Sequence, residues 1–240
     1  MNKSVIESIR GELKSHVDPV YRDGARRFFK EEIKILGVRA PIVRKIAAAW
    51  FVGFRTKTQN NEILSLCNQL LASGVQGEQI VALAWAGRLI KRCEPQDFKT
   101  FERWAKRYLT NWASCDDYCS HVLGPFLLRF PAYAPRMKTW AHSKNLWVRR
   151  MSAVGLIVPL RKGQQLPLAF QIADILLQDR EDLVQKGYGW MLKEASKQFP
   201  KEILAYVMAR RSRMPRTALR YAIEHYPPPI RRGVLHTPSA

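Results

Sequence analysis

Long apolar runs are missing from this sequence: no stretch approaches the length needed to span a bilayer. The opening, Met1 to Arg10, also lacks the basic-then-apolar pattern of an export signal. Both absences predict a cytoplasmic protein with no membrane partner. Cysteine is scarce. The four residues Cys67, Cys93, Cys115 and Cys119 have neither the number nor the spacing of a secreted disulfide framework. Cys115, Cys119 and His121 lie close together, but no paired two-residue cysteine spacing accompanies them, so buried, reduced thiols are expected and no metal. A glycine-rich phosphate loop is absent as well, so no cofactor is expected. Strand-like alternation is nearly absent, which excludes a sheet-based core.

Acidic residues are the other shortage. Twenty Asp and Glu stand against 40 Lys and Arg in 240 residues, a formal charge of +20. The basic residues recur along the whole chain rather than in one detachable tail, so the folded surface itself repels like charge unless an anionic partner is present. Nucleic acid is the partner this balance favours. A protein-binding scaffold has no need of such an excess.

What is abundant is helical grammar. Phe101, Trp104, Ala105, Tyr108 and Leu109 recur at i, i+3, i+4, i+7 and i+8, one apolar stripe of a helix. Ile63, Leu64, Leu66, Cys67, Leu70 and Leu71 repeat the pattern, as do Leu168, Ala169, Ile172, Ala173, Ile175 and Leu176. Prolines 19, 41, 95, 131, 167, 200 and 215 punctuate the chain at near-regular intervals, predicting about a dozen short helices arranged in pairs. Trp147 to Ala153 resembles Leu183 to Gly189 in hydrophobic phase and basic character, with degenerate copies at Ile42 to Ala48 and Arg216 to Ala222. Stacked helix pairs would line a curved wall with these basic residues, a positive groove about the width of a duplex. One domain over residues 1–226 is expected, followed by an irregular tail over 227–240, where three prolines open the segment. Trp85, Trp104, Trp140 and Trp147 fall in packing phase and are assigned to the core.

The chemistry-bearing stretch is residues 111–118, where Trp112, Asp116 and Asp117 interrupt a basic chain. Ser114 and Asp117 fit a capping box at a helix start. The same helix end would favour an ionised Asp116, and Trp112, four residues earlier, would share its face, so that the two together meet a cation.

This stretch, with Leu123-Gly124 after it, resembles the active-site segment of the AlkD-like DNA alkylation-repair glycosylases, which are built from HEAT-like repeats. Three further segments are similar to that family in order and spacing. They are Leu36-Gly37 with Pro41 and Arg44, then Asn145 to Arg150, then Gln185 to Trp190; the resemblance covers residues 20–226. It implies an all-α fold, a right-handed or curved solenoid of HEAT-like antiparallel helix pairs with a concave basic groove. It also implies a monofunctional hydrolytic glycosylase that excises cationic alkylated purines such as 3-methyladenine and 7-methylguanine, without base flipping. The expected partner is double-stranded DNA carrying alkylated bases, and the expected state a nucleoid-associated monomer. On this resemblance Asp116 is the catalytic carboxylate, Trp112 and Trp190 pack against the lesion and its sugar, and Arg150, Arg149, Lys186 and Arg44 bind DNA phosphates. The segment departs from some active relatives at Asn111 and Ala113, where they carry a further Trp and a further acid. The alternative function is a non-catalytic HEAT-like module that binds distorted or branched DNA by shape and phosphate contacts.

Overall fold

The structure, a computed structural model, describes residues 2–54 and 58–236, and among them it is helical, with a single isolated bridge between Lys34 and Val75. Its contacts divide the chain into two compact units, Met1–Val122 and Leu123–Ala240.

The N-terminal unit contains α1 (Asn2–Lys14), α2 (Pro19–Arg26), α3 (Ala40–Phe54), α4 (Asn60–Ala72), α5 (Gln76–Leu89), α6 (Phe98–Arg107) and α7 (Trp112–Tyr118). The apolar stripe of α4 is buried at every expected position, and α4 packs on α5, which also packs on α3 and α7. Trp85 and Trp104 lie in this core without solvent exposure, and each indole N–H has an acceptor: the Ala47 carbonyl at 2.8 Å and Asn68 Oδ1 at 3.2 Å. Burying a large apolar side chain contributes roughly 1.5–3 kcal/mol, provided that its polar atom is satisfied. At the edge of this unit Arg10 of α1 meets Glu78 of α5 through two 2.9 Å hydrogen bonds.

The C-terminal unit contains α8 (Gly124–Arg129), α9 (Arg136–Ala141), α10 (Leu146–Val154), α11 (Ile157–Leu160), α12 (Leu166–Ile175), α13 (Asp182–Ala195), α14 (Pro200–Arg210), α15 (Arg216–Ala222) and α16 (Pro228–Leu235). Here α13 packs on both α10 and α15, so three of the weakly similar segments lie side by side. The α13 to α15 approach is close because Gly189 has no side chain. A Cβ there would lie 2.8 Å from the Ala218 carbonyl oxygen and 2.7 Å from Tyr221 Cβ. Trp140 and Trp147 are buried, as their phase predicted, and the four cysteines are buried free thiols.

The described part of the tail departs from expectation. Residues 228–235 form α16 rather than an irregular segment, whereas 237–240 lie outside the described residues. The three prolines do not break this helix because they occupy its N-cap and first two positions, where no intrahelical N–H is required. Its other end is held by two arginines: Arg211 donates to the Gly233 carbonyl at 3.0 Å, and Arg216 to the Leu235 carbonyl at 2.9 Å. Guanidinium groups at a helix C-terminus satisfy its last carbonyls and oppose its dipole.

Candidate functional site

In the N-terminal unit the site is organised by α7. Its N-cap is Asn111, whose side-chain oxygen accepts the Ser114 N–H at 2.9 Å. The capping box expected at Ser114 and Asp117 is therefore not formed, since the helix already begins at Trp112. This places Asp116 beyond the first turn of the helix, away from its N-terminal end. Trp112 and Asp116 remain four residues apart on one helix and share a side of it. Both are half-buried.

Trp112 is well fixed. Its ring stacks on Phe29 with centroids 5.3 Å apart and planes inclined by 16°, and its Nε1 donates to the Phe28 carbonyl at 3.3 Å. The ring lines a largely apolar cavity of about 380 Å³ with Tyr21, Phe28 and Phe29, beneath α2. Phe28 itself is 76 % exposed, and no residue of α2 is buried.

Asp117 has a different task. Arg44 of α3 donates to its Oδ1 at 2.6 Å, and His121 Nδ1 lies 2.9 Å from the same oxygen. Burial by itself would raise the Asp117 carboxyl, but hydrogen bonds from His121 and Arg44, with the Arg44 charge, outweigh it and hold the group below its usual range. The same contact raises His121, against the opposing effect of its partial burial. The second oxygen, Oδ2, is buried without a hydrogen-bond partner, as is Gln79 Oε1. Both residues line a smaller cavity of about 150 Å³, whose chemistry suits a hydrogen-bond donor. The Asp117–His121 pair was readable from its spacing; its link to Arg44 was not.

In the C-terminal unit the predicted residues sit on α10 and α13. Arg149 has its guanidinium engaged by Asp179, with Nε 2.6 Å from Oδ2 and Nη2 3.2 Å from Oδ1, and by the carbonyls of Ser143 and Lys144. Arg150 is only 5 % exposed and donates to the Leu183 carbonyl, passing Gly187, where a Cβ would lie 3.1 Å from its Cγ. Lys186 of α13 pairs with Asp182 at 2.7 Å, both side chains partly open to solvent. Trp190, one turn further along α13, is half-buried. The structure thus joins Arg44 to α7 within one unit, and Arg150 to the Lys186–Trp190 helix within the other.

Residues 9–226 match the family model described as DNA alkylation repair enzyme. The chain belongs to this family. Its fold is similar to that of a predicted DNA alkylation repair enzyme of Enterococcus faecalis, with a TM-score of 0.79 at 16 % identity, covering 89 % of this chain and 98 % of that one. It is also similar to AlkD2 of Streptococcus mutans, with a TM-score of 0.61 at 15 % identity, covering 94 % and 99 % of the two chains. A third similar structure is smu.31 of Streptococcus mutans UA159, with a TM-score of 0.55 at 17 % identity and coverage of 78 % and 98 %. Among curated proteins no relative matches. Family membership accounts for the excess of basic residues, since a DNA alkylation repair enzyme must hold a polyanion. Among the described residues no helix is long and apolar enough to cross a membrane.

Proposed function

We propose that the protein is a DNA glycosylase that hydrolyses the N-glycosidic bond of cationic alkylated purines, such as 3-methyladenine and 7-methylguanine, in duplex DNA. The observation that carries this reading is the pairing of Trp112 and Asp116 on one side of α7, with the indole fixed by Phe29 at the mouth of a cavity.

The chemistry asks little of the protein beyond electrostatics. A positively charged base is already a good leaving group, so the barrier lies in the oxocarbenium-like sugar that departure leaves behind. Asp116 stabilises that cation and orients the water that adds to it. Trp112 and Trp190 offer electron-rich faces to the developing charge, each contact contributing about 0.5–2 kcal/mol. Lys186 and Arg44, both partly exposed, contact phosphates directly. Arg150 and Arg149 of α10 complete the phosphate-binding set, their guanidinium groups oriented by the Leu183 carbonyl and by Asp179. The base leaves without being flipped out of the duplex. The enzyme is monofunctional, acts as a cytoplasmic, nucleoid-associated monomer, and requires no cofactor.

Single-turnover release of 7-methylguanine from a defined duplex in chelator tests this. Asp116→Asn should slow release by about 100-fold or more, the scale of losing one transition-state charge contact, with affinity for DNA changed little. Equal rates in the two proteins sink the assignment of Asp116. No release by either, alongside tight salt-sensitive binding, replaces the enzyme with a module that binds distorted or branched DNA.

A further inference from the structure

We propose that Arg220, Arg231 and Arg232 form a second anchoring site for a DNA phosphate, built on α15 and α16. The helix α16, which carries Arg231 and Arg232, lies beyond residue 226, where the family match ends, whereas Arg220 of α15 lies within it. The choice of DNA as the source of the phosphate rests on the reading given under Proposed function.

The three arginines line one cavity of about 490 Å³ with Ile223, Pro228 and Leu235, and no carboxylate borders it. Some arginines of this unit are neutralised by acids, Arg149 by Asp179 and Arg161 by Glu194, each through a bond shorter than 3 Å. Among the described residues Arg220, Arg231 and Arg232 have no such acid. Moreover, Arg231 Nε is buried without a hydrogen-bond partner. A desolvated donor in that condition is destabilising, the more so with two further guanidinium groups beside it. One ligand class corrects both faults. A tetrahedral oxyanion accepts forked hydrogen bonds from guanidinium and neutralises the cluster.

The site is also rigid. Arg211 and Arg216 hold the carbonyl end of α16 through Gly233 and Leu235, and Val234 is buried beneath it. Ile223 and Leu235 give the cavity an apolar floor, which lowers the local dielectric and strengthens each contact with the anion. A phosphodiester and free inorganic phosphate present the same oxygens. A chain of formal charge +20 in a DNA repair family meets the first at far higher local concentration.

The experiment compares the full-length protein with the variant Arg220→Gln/Arg231→Gln/Arg232→Gln, measuring affinity for an unmodified duplex between 50 and 200 mM salt. Three lost phosphate contacts make the slope of log K against log salt shallower by about 2–3, so the native protein loses roughly 16–64-fold more affinity than the variant over that range. Identical slopes overturn the inference. Thermal unfolding monitors the fold, and if the triple variant does not fold, exposed Arg232→Gln alone should reduce the slope by about one. A parallel titration with inorganic phosphate follows the arginine Nε–H resonances. Phosphate that shifts Arg231 while the DNA slopes stay equal assigns the site to a free phosphoryl ligand and overturns the DNA assignment. Failure of the glycosylase reading looks different: the native protein binds DNA with the steeper slope but releases no base. A native protein that does not bind DNA overturns both.

Discussion

Arg149 and Asp179 form a two-point ion pair, Nε to Oδ2 at 2.6 Å and Nη2 to Oδ1 at 3.2 Å, with both side chains largely buried. The same Asp179 oxygen Oδ1 accepts the Glu181 N–H at 3.0 Å, so the pair ties α10 to the turn that starts α13. Removing the guanidinium leaves a carboxylate buried and unpaired. Arg149→Ala should therefore destabilise the protein by about 3 kcal/mol, measured by urea unfolding. Unchanged stability would mean that the pair is already exchanged for water.

Two glycines should respond in opposite directions to the same substitution. Gly189→Ala drives a methyl group into the Ala218 backbone and Tyr221, and should cost about 1–3 kcal/mol as α13 and α15 separate. Gly11, on the exposed side of α1, has nothing within 4 Å of where its Cβ would stand. Gly11→Ala should raise stability by about 0.5–1 kcal/mol through helix propensity alone. Equal effects at the two positions would contradict the close α13–α15 approach.

The helices and their buried stripes were legible in the sequence because local periodicity fixes them: the positions 63, 64, 66, 67, 70 and 71 of α4 are all buried, and the four packing-phase tryptophans are in the core. Proline was read correctly as punctuation at Pro19, Pro131 and Pro200, each at a helix or 3-10 start. The same rule misled at Pro227, because a proline that ends one helix is equally suited to begin another, and the capping arginines come from Arg211 and Arg216, well upstream. The start of α7 was misplaced because Asn111 and Ser114 are both capable caps, and only the formed hydrogen bond decides between them. Pairings such as Arg44 with Asp117, 73 positions apart, leave no trace in local spacing. The candidate residues were thus readable as identities, whereas the partners that fix their side chains were not.

Stability should depend on pH through Asp117 and His121. The depressed Asp117 contributes stability above its unfolded value of about 3.9, and loses it as pH falls through the lower folded value. The raised His121 contributes fully below about 6.5 and loses its share as pH rises through the higher folded value. The two windows overlap at about pH 4–6.5. The difference in melting temperature between the native protein and His121→Gln should be largest there and shrink by pH 9, where a neutral imidazole still bonds but no longer attracts. A gap that widens with pH would reverse the sign and remove the Asp117 contact as its cause.

If Trp112 and Trp190 face the developing sugar cation, their contribution is a property of the ring and not of the volume. Trp112→Ala or Trp190→Ala should slow single-turnover excision by roughly 2–30-fold, the rate equivalent of 0.5–2 kcal/mol, while Phe at either position keeps much of the rate. Trp112→Phe forfeits the 3.3 Å bond to the Phe28 carbonyl but keeps a ring to stack on Phe29. Leu at position 112 supplies comparable apolar bulk with no π face. Rates for Leu matching those for Phe would show that Trp112 only shapes the cavity, and the electrostatic role would then rest on Asp116 and Trp190.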